Sequence, residues 1–324
     1  MTTKSEGRLN QYATNILLGN TAGDYIHDKV LPILRVKKDH DSIASITDDR
    51  MRIYESRRDP SDTSLHRINF NMGPDQTYQI GYYDNSIEVP HLIAANIDAP
   101  YDPNTMGAIQ LQDMANIGLE KSISDLMSDE TVLTQNAEPT ATNKWGNAVS
   151  NPFTQFDVGI RTIRKAKGKR PNRMVVGSDV IDALKQHPLF RERVNVNTKV
   201  FSEEDIIEII RGYTKIKTIL VGETSYVDSA PGQTVTKADV WGNIMTMYWV
   251  PELPSIMTPS FGYRIVKSSG SVPALGGGQG IGSTFSVKTW EEPIAKKSTV
   301  NEISWNHQDK ILDTDAAFLF YNVL

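Results

Sequence analysis

The sequence predicts an α+β fold with two domains and a long two-stranded arm, and three observations lead there. Between Ser45 and Pro90, apolar and polar residues alternate with a period of two, which is typical of strands with one apolar edge. From Tyr101 to about Asp129, apolar residues recur at the spacing of a helix of roughly 25 residues. After residue 150, short helical patterns alternate with apolar strands, as in mixed α and β domains.

The predicted arm from Ser45 to Pro90 lacks a broad apolar face, and an isolated hairpin is only marginally stable in water. Its turn is predicted at Asp59-Pro60, where proline fixes the backbone. A neighbouring copy of the chain would cover the apolar edge, although the alternation fits equally a hairpin that folds back on its own domain. The candidate subunit contacts are the arginines of the arm and two apolar residues: Arg50, Arg52, Arg57, Arg58, Arg67, Ile68 and Phe70.

The remaining elements follow from caps and apolar runs. A short helix is predicted from Arg8 to Leu18, and an extended segment from Thr21 to Asp41. Ser178 and Ser202 are predicted N-caps of two helices, the second of which stops at Gly212. An amphipathic helix is predicted over 153–163, and the predicted strands are 174–176, 216–221, 244–250, 263–266, 284–290, 301–305 and 316–321. The glycine-rich stretch 276–282 is predicted to be a connector, and Trp241 to fill a core or an interface.

Composition excludes several classes of protein. The chain has 324 residues, of which 39% are hydrophobic and 23% charged, and this is a globular composition. No apolar run approaches the roughly 18 residues of a membrane span, and Met1 to Asn20 carries no apolar signal core. The chain contains no cysteine, which excludes disulfides, thiolate catalysis and zinc-thiolate sites. The net charge of −5 argues against a dedicated nucleic-acid binder.

No motif predicts catalysis, a metal site or a cofactor. The six histidines, at positions 27, 40, 66, 91, 187 and 307, are scattered and are predicted to be surface or capping residues. The glycine-rich stretch lacks the Lys-Ser/Thr end of a phosphate loop, and no Gly-x-Ser-x-Gly occurs. The paired acids Glu291-Glu292 and Asp313-x-Asp315 are predicted to be solvated.

One dense run of basic residues stands out after residue 160. No acidic residue interrupts it, and it continues to Arg173. The pattern favours a solvated helix face, and the alternative is contact with an acidic neighbour or with nucleic acid. The candidate patch comprises Arg161, Arg164, Lys165, Lys167, Lys169 and Arg170.

Taken in order, these features resemble the major capsid proteins of tailed bacteriophages, with the Hong Kong 97 type fold. The stretches that carry the resemblance are Gly19 to Pro32, the Asp59-Pro60 hairpin, the Asp102-Pro103 helix, Asn151 to Gly177, Leu184 to Pro188, Val240 to Asn243 and Asp315 to Phe320. The resemblance implies an N-terminal arm at 1–44 and an extended loop at 45–90. It also implies a peripheral domain at 91–148 and 285–324, built on a spine helix, and an axial domain at 149–284.

The resemblance further implies partners and a location. Copies of the chain would form hexamers and pentamers of an icosahedral head, with portal, scaffolding and decoration proteins and packaged double-stranded DNA, and without a membrane, a cofactor or catalysis. Assembly would take place in the bacterial cytoplasm, and the scaffold would be separate or already removed. Residues 43–90 contain no lysine, which excludes the isopeptide bond that some members form from their loop. Two alternatives remain: an encapsulin-like compartment for a cargo enzyme, and a hydrolase with a deep polar pocket in the axial domain.

Overall fold

The computed structural model describes residues 8–9, 25–43, 51, 53, 76–96, 102–193, 202–230, 232–255, 258, 260–268, 286–292 and 297–324. The helices are α1 His27–Val30, α2 His91–Asn96, α3 Pro103–Ser128, α4 Pro152–Lys167, α5 Ser178–Gln186, α6 Pro188–Arg191 and α7 Glu203–Thr214, with 3-10 turns at Ala141–Asn143 and Thr314–Ala316. The strands are β1 Arg8–Leu9, β2 Ile33–Val36, β3 His40–Ile43, β4 Gln76–Gln79, β5 Gly81–Pro90, β6 Asn136–Ala137, β7 Arg173–Gly177, β8 Thr218–Gly222, β9 Ser225–Val227, β10 Lys237–Asp239, β11 Met245–Tyr248, β12 Gly262–Lys267, β13 Ser286–Glu292, β14 Ser298–Ile311 and β15 Ala317–Phe320.

A five-stranded sheet in the order β6-β15-β11-β7-β8 is buried on both faces. Its central strands β11 and β15 are antiparallel, and every one of their residues is buried. Helices α4 to α7 cover one face through residues such as Phe156 and Ile206. The C-terminal half of α3 and the N-terminal segment cover the other face, where Ile123 and Tyr248 pack. Burial on both faces explains why these strands are continuous apolar runs instead of alternating ones.

Helix α3 begins and ends close to the predicted positions and links two sheets. The Asp102 side chain caps it by accepting hydrogen bonds from Asn104 N and Thr105 N. Leu111 packs against Ile303 of a six-stranded sheet, whereas Ile123 and Met127 pack against the five-stranded sheet. The helix therefore spans both cores over ~39 Å. Among the described residues, no helix combines the length and the apolar character needed to cross a membrane.

One apolar residue of α3 departs from the sequence prediction. The buried stripe advances by four residues at a time, through Leu111, Ala115, Leu119, Ile123 and Met127. Met114 fits the helical spacing of the apolar residues as well, but it lies beside this stripe and is exposed. A stripe with a period of four winds around the helix, which suits contact with two differently placed sheets.

The N-terminal residues 26–36 fold into the body of the protein, so the expectation of an extended arm over 21–41 was wrong for them. Ile26, Val30 and Leu31 are buried against α3 and the five-stranded sheet. Strand β2 then pairs in parallel with β12, with Ile33 opposite Arg264. An extended arm would expose this apolar run around Pro32 to water, at a cost of ~1.5–3 kcal/mol for each large side chain.

The start of the predicted N-terminal helix is also wrong, because Arg8 and Leu9 form a strand paired with β13. The two helix boundaries predicted from caps differ as well. Helix α5 has Gly177 at its N-cap, and no side chain, including that of Ser178, caps it. Helix α7 has the predicted capping box at Ser202, but it runs through Gly212 to Thr214.

The predicted arm is described only at its base. Strands β3 and β4 pair as a two-stranded ladder with His40 opposite Gln79. Strand β5 instead belongs to the six-stranded sheet, where it pairs along β14 from Gly81 opposite His307 to Pro90 opposite Ser298. The strands predicted around Met51 and Ile68 fall largely outside the described residues, as does the glycine-rich stretch 276–282.

Two strands pair in sheets with strands that belong to another predicted domain. Strand β12, from the predicted axial range, pairs with β14 and β2 in the six-stranded sheet. Strand β15, from the predicted peripheral range, lies between β6 and β11 in the other sheet. The division into peripheral and axial domains stays a prediction. The two predicted residue ranges are connected by β12 and β15, because each of these strands hydrogen-bonds to strands of the other range.

Candidate functional site

The seven candidate contact residues of the arm all lie outside the described residues, and their role stays a prediction. The basic run of α4 is described in full. Five members are exposed, and Lys167 is half-buried: the exposed ones are Arg161, Arg164, Lys165, Lys169 and Arg170. Lys167 and Lys169 make contacts within the chain, so the six residues do not form one free patch.

Lys167, at the end of α4, binds a pair of acidic residues, and Lys169, two residues further on, contacts an aromatic ring. Lys167 Nζ lies 3.0 Å from Asp313 Oδ2 and 3.8 Å from Asp315 Oδ2. Lys169 Nζ lies 3.8 Å from the centroid of the Trp249 ring, a cation-π contact. Burial raises the pKa of Asp313, and the Lys167 ammonium acts in the opposite direction. The Asp313-x-Asp315 pair is therefore partly buried and holds Lys167, which differs from the predicted solvated turn.

An apolar groove opens between β5, α2 and the N-terminal half of α3. Val89, Ile93, Met106 and Ile109 line it, together with Asp113 at its rim. Ile93 is 53% exposed and Met106 54%, so the groove presents large apolar side chains to its exterior. Burial raises the pKa of the Asp113 carboxyl, and one of its oxygens has no hydrogen-bond partner among the described residues. The groove can accept an apolar segment that also brings a donor or a positive charge.

Glu120 is the centre of a buried polar junction that the sequence analysis missed. Its Oε2 accepts hydrogen bonds from the backbone N–H groups of Ile26 at 3.1 Å and His27 at 2.8 Å. Its Oε1 accepts from Trp241 Nε1 at 2.6 Å. Burial raises the pKa of Glu120, and these three donors act in the opposite direction, the Trp241 indole most strongly. The carboxylate thus fixes the N-terminal segment to α3 and to the loop before β11.

The junction continues into the six-stranded sheet through a buried ion pair. Arg264 binds Asp309 in a bidentate arrangement, with Nε to Oδ1 and Nη2 to Oδ2 both at 2.7 Å. The two side chains are 5% and 4% exposed. Arg264 Nη1 also lies 2.8 Å from His27 Nδ1. One sequence signal could have located this site: Glu120 interrupts the apolar stripe of α3 between Leu119 and Ile123.

The prediction that the histidines are surface or capping residues holds for some of them and is wrong for others. His187 caps α6 as predicted, since its Nδ1 accepts from Leu189 N at 3.2 Å, and its Nε2 donates to Asn147 O. His27 and His307 are buried instead of lying on the surface. In the parts of the chain that the structure describes, no group of three His, Asp or Glu side chains could hold a metal ion.

Sequence and structural likenesses agree on one class of protein. The chain is 25% identical over 269 residues to the major capsid protein of Burkholderia phage BcepMu, covering 80% of this chain and 83% of the relative. It is similar in structure to a phage-related protein of Bordetella bronchiseptica, with a TM-score of 0.71, 18% identity and 98% of each chain covered. No family model matches the chain.

Two further solved structures share the fold more distantly. The capsid of cyanophage P-SCSP1u has a TM-score of 0.56 and 10% identity, covering 99% of this chain and 92% of that one. An encapsulin from Synechococcus elongatus has a TM-score of 0.52 and 13% identity, covering 99% and 91%.

The fold, a long helix that joins two sheets, is the Hong Kong 97 type α+β capsid fold. The chain is therefore similar to phage major capsid proteins in fold and, over 80% of its length, in sequence.

Proposed function

We propose that the chain forms the hexamers and pentamers of an icosahedral head that encloses double-stranded DNA, without catalysing a reaction. The likeness to the BcepMu major capsid protein over 80% of the chain carries this proposal. Portal, scaffolding and decoration proteins are the proposed partners, and assembly is proposed to occur in the cytoplasm of the bacterial host. The predicted division into N-terminal arm, extended loop, peripheral and axial domains is part of the same proposal, except that residues 26–36 belong to the body of the protein.

We further propose that the groove between β5, α2 and α3 receives the extended loop of a neighbouring subunit. The groove is lined mainly by apolar residues, and the carboxylates of Glu88 and Asp113 are also part of its lining. The loop combines apolar residues with five arginines. The apolar residues of the loop would meet the apolar lining of the groove, and its arginines would pair with these carboxylates, while the loop also carries six acidic residues over 45–75. The chain's own loop leaves from β3 and β4, at the Gly81 end of β5, roughly 25 Å along the strand from the groove.

Deletion of residues 57–63 at the tip of the loop tests this contact. We expect a folded, soluble subunit that fails to close shells, because the tip's share of an interface of ~1,600 Å² is lost while the described core is untouched. Electron microscopy would count closed particles, and circular dichroism would confirm folding. Charge reversal at Arg57 and Arg58 should weaken assembly in the same direction, whereas reversal at Arg211 and Lys237, which are exposed elsewhere, should not. A deletion variant that assembles like the parent protein would remove the loop from the interface.

The composition also predicts how the shell holds together. With no cysteine in the chain and no lysine over 43–90, neighbours are held by buried surface and interlaced segments, since exposed ion pairs contribute only ~0.2–1 kcal/mol each. Purified shells boiled in detergent, with or without reductant, should run as one band at the 36.1 kDa of the chain. A ladder of covalent oligomers would contradict this expectation and direct attention to lysines elsewhere, such as Lys296 and Lys297.

The contents of the shell distinguish the phage head from a compartment of the encapsulin type. Particles from infected or induced cells should contain nuclease-protected double-stranded DNA. Particles that contain a protein cargo and no DNA would instead support the compartment.

A further inference from the structure

His27 lies where the N-terminal segment meets α3 and the six-stranded sheet, and its ring is only slightly exposed. Arg264 Nη1 donates to His27 Nδ1 at 2.8 Å, so this nitrogen uses its lone pair and the ring is neutral. A proton on Nδ1 would place two donors face to face and bring two cations into contact. The arginine cannot yield, because Asp309 holds it by two further bonds.

Charged and polar groups face His27 from every element packed around it. They are Asp28 on α1, Asn116 and Glu120 on α3, Arg264 on β12 and Asp309 on β14. Burial is the largest cause that lowers the pKa of His27, to about 4, and Arg264 adds to it. Asp28, Asn116 and Asp309 act in the opposite direction and are outweighed.

We propose that His27 makes the docking of residues 26–31 labile to acid, so that this segment leaves the junction when the imidazole takes up a proton. At the junction, the segment is held by the two hydrogen bonds to Glu120 and by the His27–Arg264 contact, and beyond it Arg173 donates to Lys29 O and Tyr248 to Val30 O. Protonation removes the His27–Arg264 contact and sets a cation beside Arg264. Arg8 and Leu9 are paired separately with β13, so the release concerns residues 26–31 alone. This is a property of the single subunit and does not depend on the shell.

The direction and range of the pH effect follow from the lowered pKa. A released His27 would titrate near its ordinary 6.5, and the docked one titrates near 4. Docking is therefore fully favoured above pH 6.5 and weakens as the pH falls toward 4. Between pH 7.5 and 5 the open fraction should rise about 30-fold.

Two nearby groups also titrate in acid, and their effects on docking have to be distinguished from that of His27. Burial raises the pKa of Glu120 above its ordinary value, so its titration favours the docked state in acid and opposes the effect of His27. Burial lowers the pKa of His307, whose Nε2 lies 3.9 Å from Asp309 Oδ2. Both groups remain in His27→Gln, so the pH dependence that this variant keeps belongs to them, and the part that it loses belongs to His27.

Hydrogen exchange of the full chain, read by mass spectrometry on peptides that cover residues 26–31, tests the proposal. After correction for intrinsic rates, protection of this segment should fall about 30-fold from pH 7.5 to 5, while protection of β7 in the five-stranded sheet stays constant. His27→Gln should reduce the fall to less than about threefold. His40→Gln, at an exposed histidine of β3, should behave as the parent protein does.

Three outcomes would overturn the proposal: constant protection of residues 26–31, loss of protection in parallel with β7, or an unchanged pH dependence in His27→Gln. The first two are measured on the parent protein, so the proposal stays testable even where the His27→Gln variant does not fold.

Discussion

Asp309→Asn should destabilise the subunit by about 3–5 kcal/mol, because it leaves the guanidinium of Arg264 buried without a counter-charge. Both side chains are almost fully buried, and the asparagine amide can accept only one of the two hydrogen bonds that the carboxylate accepts. Urea denaturation of the unassembled subunit would measure the change, with the midpoint as the quantity compared between variants.

Two controls separate the buried charge from a general effect of altered charge. Glu252→Gln removes an ion pair with Lys217 whose side chains are 75% and 71% exposed, and it should cost far less stability than Asp309→Asn. The double variant Arg264→Met with Asp309→Leu replaces the pair by apolar side chains and should recover most of the lost stability. If Asp309→Asn costs no more than Glu252→Gln, water reaches the pair and its burial has been overestimated.

Trp241→Ala should cost about 3–5 kcal/mol, as expected for a fully buried large side chain. The ring lies so close to Gly222 that a Cβ at that glycine would fall 1.9 Å from it, and the indole donates to the buried Glu120. Removal therefore leaves both a cavity and a carboxylate with one donor fewer.

Conservative variants divide this loss into its two parts. Trp241→Phe keeps most of the ring volume and removes the N–H, so it should cost about 1.5–3 kcal/mol, the range for a hydrogen bond to a charged group. Trp249→Ala, at a partly exposed tryptophan of the same region, should cost less than Trp241→Ala. Equal losses for Trp241→Ala and Trp249→Ala would contradict the assignment of Trp241 to the core.

The elements that the sequence predicted well are those with local causes. Helix α3 has its own cap at Asp102, helix α7 has its capping box at Ser202, and strand β11 is a short run of apolar residues. Burial of Trp241 also followed from its residue type and its neighbours.

The failures at residues 26–36 and at the Glu120 junction share a cause, which is that the partners of these residues are distant in sequence. Residues 26–36 read as an exposed arm because nothing nearby covers them, and the covering residues include Ile123 and strand β12. His27 and Arg264 are separated by 237 residues, and no periodicity connects them. The burial of Glu120 was visible only as one acidic residue in an apolar stripe, a pattern that also occurs on half-exposed helices.

The parallel pairing of β2 with β12 has a consequence for synthesis on the ribosome. At roughly 5–20 residues per second, the interval between the emergence of His27 and that of Arg264 is on the order of 10–50 s. During this time the chain has neither the partner of its N-terminal strand nor β14, along which β5 pairs. The six-stranded sheet is therefore completed only after β14 has emerged, so a competent subunit cannot form before that point.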